Sequence, residues 1–170
     1  MAITKIQSES MNLADTYAFT GTVTGAGFAA DEFFNYKPSS DQTLATSTWT
    51  KISLQTAIIS NSNFDSSTNY RYTVPSGKAG KYHIGLSGNW LAAGDFNNCI
   101  VAIRKNGSGT LVSNIRQEHY ENNSASKILS LSVGDYLELY GWQESGGNLD
   151  FRDSGSDQSS GFMYGYRIGE

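Results

Sequence analysis

Apolar and polar residues alternate along most of the chain with a period of two. Tyr82, Ile84, Leu86, Gly88 and Trp90 share one face of a segment opened by Gly80. Successive side chains of an extended strand point to opposite faces, so this spacing predicts a strand. Trp49, Lys51, Ser53 and Gln55 alternate with Thr50, Ile52 and Leu54 and run on into residues 57–59. Tyr70 to Val74 forms a further run, stopped by Pro75, which cannot continue a central ladder. Cys99 to Ile103 is continuously apolar and is closed by Asn106-Gly107, the pair suited to a type I′ hairpin turn. Lys127 to Val133 ends at Gly134-Asp135, and two more strands are predicted over Tyr136 to Trp142 and Gly161 to Ile168. A hydrophilic loop, 144–148 and 153–157, is expected between those two. No ten-residue stretch carries a helical period. Eight or more short strands with regular turns predict an all-β sandwich or jelly roll.

The first stretch reads differently. Tyr17, Phe19 and Val23 lie two or four apart among threonines, an extended pattern, and Gly25-Ala26-Gly27 forms a joint. This predicts an extended N-terminal arm over residues 1–26, serving docking or strand exchange, and a knob over 27–170.

A length of 170 residues suits one domain with its own core. The net charge of −4 gives no electrostatic footprint for nucleic acid, and anionic lipid would repel it. The single Cys99 excludes an internal disulfide framework and a cysteine-built zinc site. No apolar run is long enough for a membrane helix. The opening Met1-Ala-Ile-Thr-Lys-Ile-Gln-Ser has no apolar signal core, so the chain is expected to act where it is made or to leave within a particle.

Several short phrases, in order, carry a resemblance. Phe64-Asp65, Tyr72-Thr-Val-Pro75 and Gly80-Lys-Tyr82 are followed by Arg104-Lys-Asn-Gly107, Leu131-Ser-Val-Gly-Asp-Tyr-Leu-Glu-Leu139 and Ser160-Gly161-Phe162. Together they resemble the tumour-necrosis-factor-like globular heads, particularly that of the complement first component's q subunit. The resemblance implies a homotrimer of ten-stranded jelly rolls, with Leu137 and Leu139 in the core. The leader is similar to those of tail-fibre and virion proteins of marine bacteriophages, and no collagen-like stalk is present.

With Leu137 and Leu139 inward, Tyr136, Glu138, Tyr140 and Trp142 occupy the opposite face. Three large aromatics on an outer face suit a trimer interface; cover by loops of the same chain is the alternative. Phe162, Tyr164, Tyr166 and Ile168 form a second aromatic face, which fits either a core or a subunit axis.

Chemistry is sparse. His83 and His119 lie in no metal or nucleophile motif, and Cys99 sits in an apolar run that suits an inert thiol. No catalytic residue, metal ligand or cofactor is expected, and the chain is not read as an enzyme. Asp95, and Asp150, Asp153 and Asp157, match no calcium-loop pattern and read as solvated loops, with calcium binding as the alternative. Asp95, Phe96, Tyr120 and Phe151 lie in loops that offer hydrogen bonds and a stacking surface for a ligand. The expected function is a bacteriophage virion protein whose trimeric jelly-roll knob is exposed on the particle as a capsid decoration, head fibre or short appendage. It would dock to capsid or tail through the arm and contact a host glycan or receptor. A tail-fibre tip and a secreted complement- or cytokine-like ligand are the alternatives.

Overall fold

The structure, a computed structural model, describes residues 32–91, 98–115, 122–153 and 161–169. Among these residues there is no helix and there are thirteen strand segments. They are β1 (Phe33–Lys37), β2 (Gln42–Leu44), β3 (Thr50–Lys51), β4 (Thr56–Ile59), β5 (Phe64–Asp65) and β6 (Arg71–Thr73). After these come β7 (Gly80–Leu91), β8 (Cys99–Lys105), β9 (Ser108–Ile115), β10 (Asn122–Leu131), β11 (Tyr136–Gln143), β12 (Leu149–Phe151) and β13 (Phe162–Gly169).

All pairings are antiparallel, and they build two sheets. The first runs β2-β12-β7-β13-β1-β4, with β10 on the other edge of β7. The second runs β5-β6-β11-β8-β9, with β3 on the end of β11. Consecutive strands mostly cross from one sheet to the other, and their inner faces close a single core.

That core follows the alternation in the sequence. Tyr82, Ile84, Leu86 and Trp90 of β7 face Val101 and Ile103 of β8 and Leu137 and Leu139 of β11 in one buried cluster. Phe34 stacks on Tyr72 with ring centres 4.4 Å apart, and Tyr36 lies on Phe64 at 3.7 Å. Each such pair adds about 0.5–1.5 kcal/mol beyond the area it buries. Asn106 and Gly107 both adopt positive φ, 51° and 80°, as a type I′ turn requires.

Three features differ from the sequence expectation. The described residues form thirteen strand segments where the resemblance implies ten strands; one of the breaks is at residues 52–55, which leave the ladder between β3 and β4. Ile52 and Leu54 remain fully buried across that break. The loop expected before the last strand contains β12. Phe151 is therefore not a surface ligand residue: its ring is fully buried, edge-on against Trp90 at 5.2 Å. The proposed arm, residues 1–26, lies outside the described residues, as do Asp95, Phe96, His119, Tyr120 and Asp157.

Candidate functional site

The outward faces of the two sheets differ in chemistry. On the second sheet, β11 presents Tyr136, Glu138, Tyr140 and Trp142 away from the core, as the alternation requires. Its neighbours cover them. The Arg71 guanidinium, from β6, lies 4.3 Å from the Tyr136 ring centre. Arg104, from β8, lies 4.1 Å from the Tyr140 ring centre and 5.0 Å from that of Trp49. Trp49 in turn lies beside Trp142 at 6.5 Å. Glu138 is buried and accepts a bond from Lys51 Nζ at 2.8 Å, with the Tyr140 hydroxyl at 3.5 Å. The four residues expected at a trimer interface thus share one face, but each has partners within the chain.

The first sheet is the opposite case. Phe33 pairs with Tyr166, Tyr166 with His83, and His83 with Ile128, so one row crosses β1, β13, β7 and β10. Phe33 is 42% exposed, Tyr166 38% and Ile128 58%. Tyr164 and Ile168 extend the patch along β13, and Ile59 of β4, opposite Asn35, extends it beyond β1. The aromatic face of β13 therefore points away from the core. His83 is flanked by the rings of Tyr164 and Tyr166, at 5.7 and 5.1 Å. Its buried Nδ1, and the buried Oδ1 of Asn35 nearby, have no hydrogen-bond partner among the described residues. A cavity of about 330 Å³, lined in part by Ser124, Ser126, Phe162 and Tyr164, opens on this face. The sequence showed the β13 rings but not the row, whose members come from four distant segments.

Several titratable groups are taken up by the fold itself. Burial pushes the Cys99 thiol up to about 12, so it is an inert core residue. Glu32, buried at the head of β1, accepts bonds from Asn61 Nδ2 at 2.9 Å and the Tyr72 hydroxyl at 3.0 Å. Burial, the Tyr82 hydroxyl and Glu32 together drive the Tyr72 phenol far above its ordinary value. Asp150 accepts from Thr43 Oγ1 at 2.6 Å, whereas Asp153 pairs with Lys37 at 2.7 Å, so these two carboxylates do not converge. Among the described residues, no group of three or more His, Cys, Asp or Glu gathers as a metal site.

No protein-family model matches the chain, and neither does any curated protein sequence. Solved structures do match. The globular domain of the zebrafish complement 1qA protein is 10% identical with a TM-score of 0.55, covering 80% of this chain and 96% of that one. Eiger TNF from S. frugiperda is 8% identical with a TM-score of 0.59, covering 81% and 92%. Murine APRIL at pH 8.0 is 11% identical with a TM-score of 0.59, covering 80% and 98%. At these identities the likeness is one of fold. With two antiparallel sheets closed on a single core, the chain has the jelly-roll fold of the C1q- and TNF-like globular domains.

Proposed function

We propose that the chain is a non-catalytic recognition knob that assembles as a homotrimer through the outward face of the first sheet. The observation that carries this reading is the row Phe33, Tyr166, His83 and Ile128, an aromatic and aliphatic band left open across four strands. Exposed apolar patches of this kind mark association surfaces, and closed symmetry is the usual outcome for copies of one chain. A second copy would cover the exposed rings of Phe33 and Tyr166. The face of Tyr136, Glu138, Tyr140 and Trp142 is the less suited subunit contact, because guanidinium and indole groups of the same chain already cover it.

Light scattering at low micromolar concentration tests the assembly. The full chain is expected at three times 18.5 kDa. Tyr166→Asp and Ile128→Asp should each give folded monomers, and Trp142→Asp should leave the mass unchanged. A monomeric parent chain would overturn the reading. Loss of trimer on Trp142→Asp alone would return the interface to β11.

Where the knob is carried is a finer proposal. The likeness of residues 1–26 to phage fibre leaders supports a virion, with the arm docked to capsid or tail and the knob turned towards a host glycan or receptor. The likeness of the fold to complement and TNF domains supports a second reading, a secreted ligand.

A further inference from the structure

On the second sheet, β6 and β8 flank β11, and their register sets Arg71 and Arg104 on either side of Glu138. Two arginines so placed would be expected to share that carboxylate. They do not: Glu138 is taken by Lys51 and the Tyr140 hydroxyl. Asp65, opposite Arg71 in register, gives its oxygens to the backbone N–H groups of Ser67, Thr68 and Asn69. Neither guanidinium makes an ion pair or a side-chain hydrogen bond among the described residues. Each is held by an aromatic ring at its face, which leaves its N–H edges open to a ligand. Beside Arg104, Trp49 is 39% exposed and forms an apolar shelf with Trp142.

We infer that this face binds an acidic polysaccharide, with sugar rings against Trp49 and Trp142 and uronate carboxylates on Arg104 and Arg71. The charge argument is local. In a chain of net charge −4, these two cations stand two strands apart, and the carboxylates facing them in register, Glu138 and Asp65, are already engaged. A guanidinium edge matches a carboxylate with two parallel hydrogen bonds, and its orientation here is fixed by the ring beneath it. Flat aromatic surfaces add contact area at low entropic cost. A saccharide carrying an anionic group on successive units meets both requirements along one strip of sheet. This assignment rests on the reading of the chain as a recognition knob but not on its trimer, since the strip lies on the opposite sheet from the proposed subunit face.

The test is titration calorimetry of the full chain with an oligogalacturonate, with a neutral malto-oligosaccharide of equal length and with a short polyglutamate peptide. The expected result is binding of the oligogalacturonate, weakened by salt, and none of the neutral sugar. The Arg71→Ala/Arg104→Ala pair should weaken it by about tenfold or more while the chain stays folded. Arg104→Lys keeps the charge and the fold but loses the fork, and should also bind more weakly. The Tyr166→Asp chain should retain per-chain binding, which separates failure of the trimer from failure of this site. Equal binding of the neutral sugar, preference for the peptide, or full binding by a folded double variant would overturn the inference.

Discussion

Gly165 and Gly85 let aromatic rings lie flat on the two faces of the first sheet. Phe34 pairs with Gly165 across β1 and β13, and a Cβ added at Gly165 would stand 2.6 Å from the Phe34 ring. Tyr164 pairs with Gly85 across β13 and β7, on the outward side, and its ring occupies the space a Cβ would need. These are glycines required by close approach rather than by backbone angle. The expected cost of Gly165→Ala, read from the urea unfolding midpoint, is about 1–3 kcal/mol, because a fully packed core cannot absorb the methyl without shifting Phe34. An unchanged midpoint would mean that the ring has room to move. Residue identity was most legible where one face is buried. It was least legible at Phe151, whose Gly-, Ser- and Asp-rich surroundings suggest a loop although the ring fills the core beside Trp90.

At the scale of elements, the β8–β9 turn is latched to the β10–β11 turn through one carboxylate. Asp135 accepts from Asn106 Nδ2 at 2.6 Å, Ser132 N–H at 2.7 Å and Lys105 Nζ at 2.8 Å. Burial raises its pKa, but the bonds from Lys105, Ser132 and Asn106 outweigh it and hold the carboxyl at about 2, below the ordinary 3.8. A lowered carboxylate stabilises the fold fully above its unfolded value and loses that contribution as the pH falls through the folded one. The stability of the parent to chemical unfolding should therefore fall as the pH drops from 3.8 towards 2, and Asp135→Asn should flatten that dependence. Identical slopes would show that the latch does not couple protonation to folding. Long strands such as β7 and β11 were readable because one face is apolar and the other is not. β1 was missed for a physical reason: Phe33 belongs to the outward patch and Phe34 to the core, so both faces are apolar and no alternation survives. The cover over the outward rings of β11 was hidden by a related route. An aromatic outer face looks unpartnered until the arginines of the adjacent strands are placed over it, and those strands lie far away in sequence.

For the whole molecule, the two sheets divide the proposed work: one holds copies together and the other meets the ligand. Three strips presented by one trimer would bind a repeating polymer more tightly than any single strip. Because the proposed subunit face is drawn from β1, β7, β10 and β13, a chain lacking residues 1–26 should keep its trimer mass and its oligogalacturonate binding. A monomer would mean that the N-terminal segment helps to build the assembly. The overall architecture was legible because strand alternation and turn chemistry are local, whereas the pairing of faces is not.

The antiparallel register of β1 with β13 sets Phe33 beside Tyr166, so the first and last described strands enter and leave the knob at one pole. A domain whose two ends emerge side by side is a portable cartridge. It can be spliced into a surface loop of another protein as readily as hung from a terminus, and permuting the chain would open a new end without breaking either sheet. The same arrangement sets a practical rule: a tag joined next to either strand sits at the rim of the aromatic row.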